Sequence, residues 1–377
     1  MLEKFLWRCY ILKEGIERTQ HSCGYKILNI SLKSPEQKNM LKSLFQTVSW
    51  LNTGRYCLLV ALLLTGIWCI GAIYYTSHLQ GITRIAVTVL FAFAILFLLA
   101  ASWKGDWIYT FDLMIIELLI IGHFTLLSPQ EAFRNVQWQK PWLHRPHITF
   151  NGPLATINFV RNFSYRTEHD YDVNYITMTI DMDKVTALDV VLSHWDGLEN
   201  IAHTMISFAF SDGQYLAFSM ETRLPEGTVQ GMIPGLYKQY ELLSIAGTEE
   251  DLFKLRTNYR KEDLYLYRSN ATIAQCRMIL SDLLNAINRQ QLHPRFYNSM
   301  THNCTTSMTP ILRKIKPGFT NDIRLLFNGR SDEMLFEMGY LAHRKGESFA
   351  ELKRRRQVSQ YLNTASDYST AIRTNLL

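Results

Sequence analysis

The apolar positions of this chain change their spacing twice. From Tyr56 to Tyr75 they run without a charge, and Tyr and Trp residues are interspersed among them. A helix needs about 20 such residues to cross a bilayer, and amphipathic rings suit its interfaces, so this stretch predicts a membrane span. Ile85 to Ala101 is a second, shorter run edged by Arg84 and by Trp103-Lys104. Trp107 to Leu127 is a third, interrupted by Asp112, Glu117 and His123. Charges at membrane depth are costly unless they face a bundle interior or lie near an end. Asp112 falls near one interface and His123 near the other, which leaves Glu117 as the deep charge, and we read three spans. An amphipathic helix lying in the interface is the alternative for the third.

Beyond Leu127 the pattern becomes short and alternating. The stretch 128–153 holds Pro129, Pro141, Pro146 and Pro153 among scattered aromatics and reads as a linker leaving the membrane. Strand character follows in Ala155–Val160, Tyr175–Ile180 and Val185–His194. Ile201–Phe210 and Tyr215–Thr222 flank Ser211-Asp212-Gly213-Gln214, a hairpin signal, and Tyr240–Ala246 adds another strand. Helical periodicity marks Ile273–Ile287 and Met308–Ile315. Strands followed by helices in blocks predict an α+β domain. The organisation is then a basic N-terminal segment (1–55), a membrane region with two or three transmembrane helices (56–127), the linker (128–153), a domain (154–345) and a basic C-terminal tail (346–377). In that tail Lys353-Arg354-Arg355-Arg356 reads as a solvated helix face, or as a contact for anionic headgroups.

Charge fixes the topology. The net charge of +6 over 377 residues is concentrated before the first span, at Lys4, Arg8, Lys13, Arg18, Lys26, Lys33, Lys38, Lys42 and Arg55. That favours a cytoplasmic N-terminus rather than nucleic-acid binding. Three spans then put the domain outside, whereas two would leave it in the cytoplasm. The first apolar run starts too late and is too long for a signal peptide.

Of six cysteines, Cys57 and Cys69 sit in the first span, and none forms a C-x-x-C pair. A multi-bridge secreted scaffold is excluded, and Cys276 reads as a helical core position. Cys9, His21 and Cys23 lack close pairing, and Pro146 breaks the spacing of His144 and His147, so no metal is expected. No Walker loop, G-x-G-x-x-G or G-x-S-x-G occurs, and no cofactor is implied.

Cys304 remains. It lies between a turn-forming stretch, Tyr297 to Asn303, and an apolar helical run. A helix N-terminus stabilises a thiolate through its dipole and unpaired N–H groups. His203, on a predicted strand, could fold back as the base of a Cys–His dyad. For the group that orients the imidazole we select Glu221. A two-residue turn in the hairpin would pair His203 with Thr222; a three-residue turn or bulge brings Glu221 across. An exposed Glu221–Arg223 ion pair is the alternative. Backbone N–H groups near Cys304, helped by Asn303, could form an oxyanion hole.

From about Val160 to Leu341 the chain resembles the Lnb N-terminal periplasmic domain family. The resemblance rests on Arg161-Asn162-Phe163-Ser164-Tyr165-Arg166, Trp195, Ile201-Ala202-His203-Thr204, Phe210-Ser211-Asp212-Gly213 and Ser219-Met220-Glu221-Thr222-Arg223. It continues through Gly235-Leu236-Tyr237-Lys238-Gln239-Tyr240-Glu241-Leu242, Leu255-Arg256-Thr257-Asn258-Tyr259-Arg260, Phe296-Tyr297-Asn298 and Asn303-Cys304-Thr305-Thr306. The resemblance implies a circularly permuted papain-like domain preceded by transmembrane helices, with its histidine at His203 and its cysteine at Cys304. The family's namesake is a Bacteroides lipoprotein N-acyltransferase. By that likeness the expected activity is cysteine-dependent acyl transfer from a membrane phospholipid to a lipoprotein amine, in a bacterial inner membrane with the domain in the periplasm. This chain lacks the namesake's large C-terminal region, so fold and site carry over better than substrate. A cell-envelope cysteine peptidase or amidase, and a non-catalytic envelope scaffold, are the competing expectations.

Overall fold

The computed structural model describes residues 35–76, 78–104, 107–194, 201–304, 306–316, 322–325, 328–358 and 367–374. The basic residues through Lys33, with Cys9, His21 and Cys23, lie outside them, as do Trp195 and Thr305. The chain falls into two compact units, 1–64 and 65–377.

Among the described residues three long helices come first: α1 (Pro35–Thr76), α2 (Gly81–Trp103) and α3 (Trp107–Leu126). The segment Thr53–Thr76 of α1, all of α2 and all of α3 are each long and apolar enough to cross a membrane. The third segment is therefore a full-length helix in spite of its charges. Its Glu117 is buried and accepts a hydrogen bond from the Thr65 hydroxyl, while Leu118 and Leu119 are exposed on the apolar exterior. Gly66 leaves room for that carboxylate, since a Cβ there would sit 3.1 Å from its Oε1. A deep charge turned to a neighbouring helix is the arrangement a membrane permits.

The expected linker is partly structured. It contains a short helix α4 (Pro129–Ala132) and strand β1 (His147–Asn151), which pairs antiparallel with β2 (Leu154–Arg161). The prolines confine irregular backbone to 133–146 but spare the strand that follows. Next come β3 (Ser164–Tyr165) and β4 (Tyr171–Asp172), a small separate ribbon, then β5 (Tyr175–Asp181) and β6 (Val185–His194). The hairpin is β7 (Ala202–Phe210) and β8 (Tyr215–Arg223), followed by β9 (Glu241–Gly247), helix α5 (Glu249–Lys254) and β10 (Asp263–Arg268). Helix α6 (Ile273–Leu292) starts where Thr272 and Gln275 close a capping box. The chain continues through β11 (Arg295–Phe296), α7 (Thr309–Ile315), α8 (Ser331–Glu337), α9 (Phe349–Arg356) and α10 (Tyr368–Ala371).

Among the described residues the main sheet has the order β1-β2-β9-β8-β7-β6-β10, with β5 on β2 and β11 on β9. The domain is α+β. In β2 the register shifts between Ile157 and Val160, and Phe159 takes a positive φ of 61°. That bulge bends the strand so that Arg161 meets Gly247 of β9.

Both faces of the sheet are covered, which explains why every residue of β7 is buried. On one face Ile279, Leu280, Leu283 and Leu284 of α6 pack against Ile206, Phe208, Leu216 and Phe218. On the other, Leu252 and Phe253 of α5, with Val358, Tyr368 and Ile372, cover Met205, Ala217 and Ile245. Each such side chain contributes about 1.5–3 kcal/mol by leaving water.

The residues expected as a basic tail belong to this second layer. Arg373 pairs with Asp189 at 3.0 Å and with Glu249 at 2.5 Å, both carboxylates fully buried. In α9, Lys353 reaches Asp332 and Arg355 reaches Glu347, while Arg356 is buried. Lys353 thus reaches the domain, Arg355 is tied within the segment and Arg356 is buried, so the run is not a solvated face. Its capping box at Ser348 and Glu351 marks it as a helix that starts by design of the sequence.

Candidate functional site

The hairpin turn decides which residues meet. Phe210 N–H donates to Gln214 O and Gly213 N–H to Phe210 O, so Ser211, Asp212 and Gly213 form a three-residue loop. Gly213 has φ +83°, the left-handed conformation such a loop requires. The pairing then runs Ala209↔Tyr215 to Met205↔Ser219. Continued by two positions, that register sets Glu221 opposite His203, so the longer of the two turns weighed above is the one present. Ladder pairing stops at Met205 and Ser219 although both strands go on, and the site sits where they part.

Alternation along the strands puts His203, Ser219 and Glu221 on one face. His203 Nε2 lies 2.6 Å from the Ser219 hydroxyl and 3.2 Å from Glu221 Oε1. Ser219 in turn donates to Glu221 Oε1 at 2.6 Å. The Cys304 sulfur is near enough to the same imidazole to raise its pKa. Cys304 and His203 are 9% and 8% exposed, so the pair sits in a nearly closed environment.

Burial and the nearby Arg256 guanidinium both push the imidazole's pKa down, but Glu221 and the sulfur outweigh them and hold it at about 9. Glu221 is buried, which alone would raise its pKa. His203, Arg256 and the Ser219 hydroxyl hold it well below the ordinary carboxylate range instead. Arg256 stands 3.8 Å from Glu221 Oε1 and 2.8 Å from Glu262, which also accepts from Ser193 at 2.6 Å. It is carried on a π-helical turn, Leu255–Tyr259, a local widening often found at functional positions. The line Cys304, His203, Glu221, Arg256 and Glu262 alternates in charge preference from sulfur to carboxylate.

Cys304 enters from a tight loop. Asn303 accepts from Thr306 N–H through Oδ1 and donates from Nδ2 to Ser299 O, capping the helical stretch that begins at Thr306 and passes into α7. The expected oxyanion support from Asn303 is thus directed to backbone groups. Asn328 takes the position beside the sulfur: its Nδ2 points to Cys304 Sγ at 3.6 Å, and its carboxamide engages both Ala202 N–H and Ala202 O. Tyr297, hydrogen-bonded to Thr222 and Ser299, lies close enough that burial, the sulfur and Glu221 raise its hydroxyl pKa to about 12.

Ser219, Arg256, Asn328 and Tyr297 were not selected from the sequence. Ser219 had a legible signal, because two residues from Glu221 on a strand is the same face. Arg256 and Asn328 had none, since a π-turn and a distant loop bring them in. Arg223, the alternative partner of Glu221, instead pairs with buried Glu241 at 3.1 Å and donates to Trp142 O. Cys276 is fully buried in the α6 face. His144 stacks on Phe159, and His147 contacts Asn158 at 3.1 Å.

A thiol, an imidazole and a carboxylate come together on an α+β domain that follows membrane-length helices. Residues 171–329, a little under half of the chain, match the sequence model described as the Lnb N-terminal periplasmic domain. The matched residues include His203, Ser219, Glu221, Arg256, Cys304 and Asn328. No curated protein and no solved structure matches the chain. The family description makes this a membrane protein with a periplasmic domain.

Proposed function

We propose that the protein is a membrane-anchored, cysteine-dependent acyltransferase of the bacterial inner membrane. The observation that carries this reading is the buried cluster in which the His203 ring contacts Ser219 and Glu221 and has the Cys304 sulfur close enough to perturb it. In the first half-reaction the Cys304 thiolate, paired with the protonated His203 ring, attacks the carbonyl carbon of a phospholipid acyl ester. A C–S bond forms while the carbonyl electron pair moves onto oxygen, where Asn328 Nδ2 is the nearby donor. Collapse breaks the ester C–O bond, and the imidazolium protonates the leaving alkoxide, so a lysolipid departs and an acyl-thioester remains. In the second half an amine attacks the thioester, His203 takes its proton, the C–S bond breaks and an amide leaves.

Glu221 and Ser219 fix the ring and favour the imidazolium formed on the way. The lipoprotein N-terminal amine as acceptor rests on the family resemblance, and the membrane helices favour substrates that reside in the bilayer. The test is Cys304→Ser expressed in cells, with lipoprotein N-acylation read by mass spectrometry. The expected result is loss of the N-acyl group; unchanged acylation would remove the lipoprotein acceptor.

A further inference from the structure

We infer that two loops beside Cys304, residues 229–233 and 298–302, form an apolar lip that inserts into the bilayer on the domain's side of the membrane. The inference goes beyond acyl transfer and holds or fails without it. Val229, Met232 and Ile233 are 84%, 67% and 61% exposed, and Met300 is 54% exposed. Large apolar side chains exposed in that density mark an interaction site. The two loops are one structure: Ser299 donates from Oγ to Met232 O at 2.9 Å and from N to Gly235 O at 3.3 Å. Met300 stands at the tip of a turn closed on the Asn298 carboxamide, four residues before Cys304.

Continuity with the spans identifies the occupant. Immediately after Ile233, Tyr237 stacks on Tyr75 at 5.1 Å and contacts Trp68 and Phe124. Gly71 admits that ring, because a Cβ there would overlap it. Lys238 Nζ caps the end of α3 at Phe124 O (2.5 Å) and Leu127 O (3.3 Å). Those are the ends at which two membrane-length helices emerge, so the lip lies where headgroups and acyl chains meet, and lipid covers it.

The experiment places p-benzoylphenylalanine at 229, 232, 233 or 300 of the full chain in cell membranes. Light then cross-links each position, and the adducts are read by intact-mass spectrometry. Leu119, exposed on α3, serves as the lipid-facing reference, and Asp212, at the far tip of the β7–β8 hairpin, as the aqueous one. Phospholipid adducts at the lip positions at least about tenfold above Asp212, and comparable to Leu119, are expected. Lip positions that behave like Asp212, or that cross-link to protein instead of lipid, would overturn the inference. The readout needs no catalysis, so inactivity of Cys304 would leave it standing.

Discussion

At the residue scale, the site depends on opposing influences on one ring. His203 is held up only because Glu221 and the sulfur outweigh burial and Arg256. Glu221→Gln removes one of the two supports, so the imidazole pKa is expected to fall from about 9 towards or below its usual 6.5. Carbon-13 histidine NMR across a pH series reads this directly, and a ring still titrating near 9 would show that Glu221 does not hold it. The linkage has a definite sign. Stability from a raised His203 is fully present below its unfolded value and is lost as pH rises through about 9. Stability from the lowered Glu221 is present above the ordinary carboxylate range and is lost as pH falls through its depressed value. The melting-temperature gap between wild type and Glu221→Gln should therefore be widest in mildly acidic solution, between the ordinary carboxylate range and about 6.5. Three of these residues were legible in the sequence because helix start, strand and turn are local signals. Arg256 and Asn328 were not, because a guanidinium held by Glu262 and an amide beside Ala202 are tertiary facts.

At the scale of elements, the strands with alternating patterns were legible almost to the residue, as Val185–His194 and the hairpin show. β1 was not, because its partner is partly a helix: Asn288 of α6 accepts from Ile148 N–H and donates to Ile148 O, both at 2.8 Å. A side chain standing in for a neighbouring strand leaves no periodic trace. β10 was missed for another reason, since Asp263 to Arg268 interleaves charge and aromatics on a strand covered by α9. What locks β2 to α5 is also non-local. Buried Asp251 accepts from Arg161, from Phe163 N–H and from the Tyr165 hydroxyl. Asp251→Asn leaves Arg161 buried without its counter-charge, and a loss of about 3–5 kcal/mol is expected in chemical denaturation. A loss below about 1 kcal/mol would mean that the pair is effectively solvated.

For the whole molecule, composition and charge led to three spans, and the structure supplies three helices of sufficient length. Three crossings would have a direct consequence for topology, setting the N-terminus and the domain on opposite sides of the membrane. In a chain carrying Asp212→Cys, a membrane-impermeant maleimide added to spheroplasts should label position 212 while sparing Cys9. Labelling of both positions, or of neither until lysis, would remove the third span. The same hairpin tip has a wider effect. Leu216 and Phe218 face α6, while Ser219 and Glu221 face the imidazole, and all four share one register. A slip of one residue would drive the serine and the carboxylate into the apolar layer and expel the phenylalanine, at a cost of several kcal/mol. The greasy half of the strand thus acts as a proofreader for the polar half, and a misaligned serine–carboxylate pair is rejected at the folding step.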